Sequence, residues 1–165
     1  MKNGTKERDA LRQLHDGVRL VGEGKAEEAE AILRNVLKSH PENADALWLL
    51  GRALTQQGRL KEGVDLYSRA AQLEPNRAVF HESLGTTLIQ MGNVPEGKKA
   101  LKKAFELDSE ALKPAEYTFG KLIEESPENK IYWYGLGIVL ELQGKMDVSQ
   151  KAMFKARQYD KGLDC

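Results

Sequence analysis

The sequence predicts an all-α fold: a right-handed α-solenoid of antiparallel helix pairs, with one orphan helix that interrupts a 34-residue period. Pairs of glycines seven residues apart recur along the chain and mark that period. The pairs are Gly17 and Gly24, Gly51 and Gly58, Gly85 and Gly92, and Gly137 and Gly144. The first two steps are 34 residues each, and the last is one period plus 18 residues. A fixed period of this length is typical of stacked helical or strand units that pack only against their neighbours.

The first half of each unit is predicted to be a helix. In the second unit, Leu50, Gly51 and Leu54 stand at spacings of one and three, which places them on one stripe of a 3.6-residue helix. Glycine costs about 1 kcal/mol inside a helix, so its recurrence indicates that a neighbouring helix comes too close for a side chain. Gly58 is predicted to end this helix, because glycine adopts a positive φ easily.

The second half of each unit is also predicted to be a helix. In the second unit, Gly63, Tyr67 and Ala70 recur at spacings of four and three. Small residues at such places allow two helices to cross closely, and the large residue fills the gap between units. Pro95 suits the first turn of the corresponding helix in the third unit, and Pro75 follows the end of the helix in the second.

Taken together, these positions resemble the tetratricopeptide repeat. The best match is Ala44–Pro75, where the family positions are held by Leu47, Leu50, Gly51, Leu54, Gly58, Gly63, Tyr67, Ala70 and Pro75. The resemblance covers about residues 10 to 161. It implies a stack of helix pairs whose first helices line an inner groove that binds other proteins.

The predicted organisation follows from the period. It comprises an N-terminal tail over 1–9, units over 10–43, 44–77 and 78–111, an orphan helix within 112–129, and a last unit over 130–163. The segment 112–129 has Ala115 and Phe119 where a second helix would have them, so one unit lacks its first helix. Either the orphan helix fills the position of a first helix, or the stack bends or breaks there. Because two consecutive second-type helices cannot both face one groove, we expect a kink or a changed path between residues 108 and 130.

Composition excludes several classes of function. Lys+Arg and Asp+Glu number 25 each, so no global field steers the chain to nucleic acid or to an anionic membrane. No apolar run is long enough to span a bilayer, and the first 20 residues contain no signal-peptide core. The lone cysteine, Cys165, rules out an internal disulfide and fits a cytoplasmic protein.

Chemistry-bearing residues are sparse. The three histidines are scattered without metal-ligand spacing, and one cysteine cannot build a zinc site. Glu27-Glu28 and Glu124-Glu125 are adjacent on helices and point apart, so they make poor acid/base dyads, and no phosphate-binding loop follows a strand. The sequence therefore predicts no enzyme activity, no cofactor and no metal.

The predicted binding groove lies on the face of the first helices opposite the glycine stripe. Its residues are Leu14, Val18, Trp48, Arg52, Glu82 and Thr86. Leu47 fills the packing position beside Trp48, so Trp48 is expected to project into the groove as an anchor. The alternative is that Trp48 packs on the neighbouring first helix and shapes the wall. Arg52 and Glu82 either contact a ligand's carboxylate and amine or pair with each other across adjacent units.

The groove is largely apolar, which favours an amphipathic helix or an apolar extended segment as partner. The predicted function is therefore a protein- or peptide-binding adaptor. The alternative is a scaffold or self-association module, including the N-terminal part of a larger enzyme of the sugar- or sulfate-transferase type.

The last predicted helix would leave four residues facing water, whereas helical arrays need a polar cap; they are Val148, Ala152, Met153 and Tyr159. Three explanations stay open. The chain is a fragment of a longer protein, it forms a homodimer through its C-terminal helices, or the exposed area is small enough to tolerate.

Overall fold

The computed structural model describes the backbone of residues 2–160 and the side chains of residues 7–160; Cys165 and the end of the predicted unit 130–163 lie outside this range. The described part contains nine α-helices and no strand, which confirms the predicted all-α class with one unpaired helix. The helices are α1 (Lys2–Gly22), α2 (Ala26–Ser39), α3 (Ala44–Gln56), α4 (Leu60–Leu73), α5 (Ala78–Gln90), α6 (Val94–Leu107), α7 (Lys113–Glu125), α8 (Lys130–Leu142) and α9 (Met146–Asp160).

Helix α1 begins earlier than the sequence pattern predicts. Residues 2–9, expected as an N-terminal tail, are helical. The repeat pattern identifies only positions that pack between helices, so it gives no information where a helix extends beyond its neighbour. No proline interrupts this segment, and Arg12 and Asp9 pair at 3.7 Å across one turn, which supports the helix.

The chain divides into two compact units, residues 1–76 and 77–165, here called the N-terminal unit and the C-terminal unit. In the N-terminal unit, α1 packs on α2, α2 on α3 and α3 on α4, and the two first helices α1 and α3 also touch. The shared core consists of small and aliphatic side chains. Its buried members are Leu20, Val21, Ala29, Leu33, Leu49, Leu50, Ala53 and Leu54.

The recurrent helix glycines lie where the sequence predicts close approach. A Cβ on Gly17 would lie 2.7 Å from Cδ2 of Leu33, and one on Gly51 would lie 2.6 Å from Cε1 of Tyr67. The large residue of each second helix therefore occupies the space that a side chain on the first helix would need. The second glycine of each pair ends its helix with a positive φ, for example 77° at Gly58.

An ion-pair network joins α2 to the start of α4 in the N-terminal unit. The Glu30 carboxylate accepts hydrogen bonds from Arg59 Nη1 at 2.9 and 3.0 Å, from Arg34 Nε at 2.9 Å and from Gln57 Nε2 at 3.0 Å. Partial burial of Glu30 disfavours its charge, but the hydrogen bonds from Gln57, Arg34 and Arg59 outweigh burial and lower its pKa from 4.5 to about 2.

This network predicts a specific loss of stability in acid. Because the pKa of Glu30 is lower in the folded state, its contribution is present above pH 4.5 and is lost as the pH falls from about 4.5 towards 2. We expect Glu30→Gln to lower the free energy of unfolding by about 2 kcal/mol at pH 7, allowing for solvent screening, and by much less near pH 2. Urea unfolding followed by circular dichroism at both pH values measures the difference.

Glu106→Gln is the matched control, because the exposed ion pair of Glu106 with Lys102 is long, at 3.9 Å, and therefore weak. Its effect should stay within about 0.5 kcal/mol at either pH. A Glu30→Gln effect of equal size at pH 7 and near pH 2 would show that ionisation of Glu30 is not what stabilises this contact.

In the C-terminal unit, the hairpins α5–α6 and α8–α9 have the same construction as those of the N-terminal unit. A Cβ on Gly137 would lie 2.8 Å from Cε of Met153, and the Ser149 hydroxyl donates to the Gly137 carbonyl at 2.8 Å. Helix α8 contacts both α5 and α6, and Lys98 of α6 pairs with Glu141 of α8 at 3.1 Å.

Helix α7 is the predicted orphan, and it behaves as a second-type helix. Its Phe119 is fully buried and occupies the space beside Gly135 of α8, where a Cβ would lie 2.3 Å from the ring. Lys145 pairs with Glu116 at 2.9 Å, at the positions that Arg59 and Glu30 hold in the N-terminal unit.

The regular succession of helices is therefore interrupted before α8. Helix α7 packs on α8 and touches α5, but it lacks the extensive packing on α6 that α3 makes on α2. Instead α8 reaches α5 directly, as α3 reaches α1. The orphan helix does not take the place of a first helix. The kink expected between residues 108 and 130 stays a prediction.

Candidate functional site

Four of the six predicted groove residues lie on the adjoining first helices of the N-terminal unit. Leu14 and Val18 are on α1, and Trp48 and Arg52 are on α3. Val18 is 52% exposed, and Leu11, which lies two helical turns earlier on the same face, is 62% exposed. Leu14 and Trp48 both pack against the same buried core. These helices therefore bring an apolar surface strip next to a half-buried indole.

Trp48 lies partly in the core and partly at the surface. Its neighbours Leu47 and Leu49 are buried, as the packing stripe of α3 requires. Trp48 itself is half-buried and packs against the core of the N-terminal unit. Part of the ring is thus held by the core, while the rest contributes to the surface.

Arg52 stacks on Trp48. Its guanidinium carbon lies 5.1 Å from the centroid of the indole ring, within the range of a cation–π interaction. Other arginines of the N-terminal unit are ion-paired, such as Arg34 and Arg59 with Glu30. Within the described residues of that unit, the Arg52 side chain has no carboxylate partner. The stacking therefore holds a planar cation in a fixed position with its hydrogen-bond donors available.

The other two predicted groove residues lie on α5 of the C-terminal unit and are buried. Glu82 is 6% exposed and Thr86 is 5% exposed. Thr86 Oγ1 donates to Glu82 Oε1 at 3.1 Å, and Ser83 Oγ donates to Glu82 Oε2 at 3.3 Å. These two side chains hydrogen-bond to each other and expose little surface to a partner. Their burial could not be predicted from their spacing in the sequence.

The described residues provide no other chemistry of note. Across side chains 7–160, no cluster of three or more His, Cys, Asp or Glu residues has the arrangement of a metal site. Among the helices of that part of the chain, none combines the length and apolar character needed to cross a bilayer.

A second surface lies on α9 in the C-terminal unit. Met146, Val148 and Phe154 are 51%, 52% and 61% exposed, and Met146 and Phe154 border an open cavity of about 1080 Å³. Of the α9 residues predicted to face water, Val148 is exposed, but Ala152 is buried and Met153 is half-buried beside Gly137, so the prediction was wrong for these two. The exposed Phe154 was not among the predicted residues. A signal was present, because the equivalent positions in α2, α4 and α6 are polar. They are held by Arg34, Ser68 and Lys102.

The stacked hairpins define the chain as a helical repeat protein. The family model described as tetratricopeptide repeat matches residues 17–78 and 83–160. The chain belongs to the tetratricopeptide repeat family. This confirms the predicted resemblance and supports a role as a protein-interaction module. No curated protein sequence matches the chain.

Several solved structures are similar to this chain. A mutant of MamA is 31% identical, over 60% of this chain and 72% of that chain, with a TM-score of 0.56. A mutant of the Thermobaculum terrenum O-GlcNAc transferase is 25% identical, over 82% of this chain but only 22% of that chain, with a TM-score of 0.62. YrrB, a TPR protein with an unusual peptide-binding site, is 19% identical over 96% of this chain and 90% of its own, with a TM-score of 0.58, which shows the fold alone.

Proposed function

We propose that the protein is an adaptor that binds a peptide segment of another protein on the first helices of its N-terminal unit. The observation that carries this proposal is the Arg52 guanidinium stacked on the half-buried Trp48, without a carboxylate partner in that unit. Tryptophan and arginine dominate protein interfaces because they combine a large contact area with directional hydrogen bonding.

The partner chemistry follows from the neighbouring side chains. Val18 and Leu11 supply exposed apolar surface, and Leu14 and Trp48 are anchored in the core beneath it. An amphipathic helix or an extended apolar segment would bury this surface, and a carboxylate on that segment would pair with Arg52. Because the surface is held by packed helices, the ordering cost of binding would fall mainly on the peptide.

A peptide-array screen tests the proposal. We expect the peptides selected by the wild type to combine large apolar residues with at least one carboxylate. Trp48→Ala should weaken their binding by at least about 1 kcal/mol, as expected for a central anchor. Fluorescence titration of the selected peptides gives the affinity of each variant.

Two further variants separate binding from folding. Arg52→Gln keeps the aliphatic stem and removes the cation, so it should weaken acidic peptides while leaving their neutral amide analogues unchanged. Trp133→Phe is the control, because Trp133 lies on α8, where its indole N–H donates to the Pro127 carbonyl at 2.6 Å. An array signal that is the same for wild type, Trp48→Ala and Arg52→Gln would discard this surface.

Self-association is a second candidate function, either of a scaffold or of the repeat part of a larger enzyme. The exposed Met146 and Phe154 on α9 favour it, since both border the same open cavity and adjoining exposed apolar side chains mark interaction sites.

A further inference from the structure

One stripe of α9 has an ordered chemical pattern. Asp147, Gln150, Phe154 and Arg157 follow each other at spacings of three, four and three residues, which places them on one face of the helix. All four are exposed, and all four border the same open cavity of about 1080 Å³. The stripe thus begins with an anion, ends with a cation and has a large aromatic ring between them.

The two charges at the ends of the stripe are unpaired among the described side chains. Ten residues of helix separate Asp147 from Arg157, a distance of about 15 Å, so they cannot pair within one chain. Other charged residues of the C-terminal unit do find partners, as Glu116 does with Lys145 and Glu141 with Lys98. The end charges of the stripe remain available to another molecule.

The pattern of the stripe differs from that of the second-type helices that receive a following helix pair. In α2 and α7 the carboxylates of Glu30 and Glu116 pair with Arg59 and Lys145 at the start of the next second helix. The equivalent positions are Val64 in α4 and Gln150 in α9, and neither carries a charge for such a contact. Phe154 replaces a residue that is polar in α2, α4 and α6. Helix α9 therefore exposes an aromatic ring at a position where those three helices are polar.

The stripe is complementary to itself when a second copy lies antiparallel to it. Residue 152 is the midpoint between Asp147 and Arg157 and also between Gln150 and Phe154. A two-fold axis at that point would set Asp147 of one copy opposite Arg157 of the other, twice, and Phe154 opposite Gln150, twice. Such an isologous contact is the commonest form of homodimer, and the exposed Met146 would add apolar area at its edge.

We propose that α9 is a homodimer interface in which two copies pack antiparallel about a two-fold axis, joined by two Asp147–Arg157 ion pairs around a centre formed by Phe154 and Gln150. This inference deepens the second candidate function, self-association, and is independent of peptide binding at Trp48. The partner in this proposal is a second copy of this chain, because its antiparallel stripe places an opposite charge against each end charge.

Charge reversal tests the arrangement. Asp147→Arg and Arg157→Asp each place like charges opposite one another in the dimer, so each should weaken dimerisation by tenfold or more. An equimolar mixture of the two variants restores both ion pairs across the contact and should form a heterodimer. The double variant should dimerise like the wild type. Sedimentation equilibrium over a wide concentration range measures all four samples, with circular dichroism to verify that each is folded.

Lys103→Asp is the control, because it reverses an exposed charge on α6 that has no ion-pair partner among the described residues. It should leave the dimer unchanged. If the mixture and the double variant stay monomeric, or if neither single variant weakens the wild-type dimer, the antiparallel contact is wrong. If neither single variant weakens the wild-type dimer, the chain self-associates through another surface. A wild type that is monomeric at every concentration would rule out both the antiparallel contact and self-association. Peptide binding would still be tested separately by Trp48→Ala.

Discussion

Replacing Phe119 with alanine is expected to lower the free energy of unfolding by about 3–5 kcal/mol. The Phe119 ring is fully buried and belongs to the core shared by α5, α6, α7 and α8. It is the largest side chain that α7 contributes to that core, and it fills the space left open by Gly135. Its removal would leave a cavity between α7 and α8 that surrounding backbone cannot easily close.

Tyr117→Ala is the matched control, since Tyr117 lies on the same helix but is 68% exposed. Its truncation should change stability by no more than about 0.5 kcal/mol. Urea denaturation followed by circular dichroism compares the two variants. Equal effects of the two would mean that α7 is not fixed to the C-terminal unit through its aromatic side chain.

Replacing Gly85 with alanine is expected to destabilise the C-terminal unit by about 1–3 kcal/mol. A Cβ there would lie 2.8 Å from the Gly97 carbonyl oxygen, 2.8 Å from Cγ of Leu101 and 2.9 Å from its backbone nitrogen. Two of these three atoms belong to the backbone of α6, so no side-chain rotation relieves the clash. The whole of α6 would have to move away from α5.

Gly120→Ala provides a control of opposite sign. Gly120 lies inside α7, and nothing comes within 4 Å of a Cβ placed there. Alanine has the higher helix propensity, so this variant should gain up to about 1 kcal/mol. Thermal unfolding of both variants gives the comparison. Two changes of the same sign would refute the view that close approach, and not helix propensity, requires Gly85.

The features that sequence analysis predicted well depend on local spacing. The two glycines of each pair, such as Gly51 and Gly58, report a close crossing and a positive φ, and both are properties of one position and its immediate partner. The orphan helix was equally visible, because the 18 extra residues contain only the markers of a second helix, such as Phe119.

The features that sequence analysis did not predict depend on how side chains meet across helices. Glu82 and Thr86 have the spacing of surface residues, yet they are buried and bonded to each other. The hydrogen-bond network joins Glu30 to Gln57 and Arg59, which lie 27 and 29 positions later in the chain. No local sequence pattern predicts contacts over such a separation. Residue type gives the hydrogen-bonding capacity of such groups, while packing decides which partners they reach.

The fit of α7 has a consequence for how chains of this kind change length. Its attachment to α8 needs one large ring opposite a glycine and one salt bridge at a fixed position, and α8 meets α5 regardless of it. An insertion or deletion of a single helix is therefore compatible with a closed core. We therefore expect a chain built this way to tolerate a change in length of half a repeat at this point.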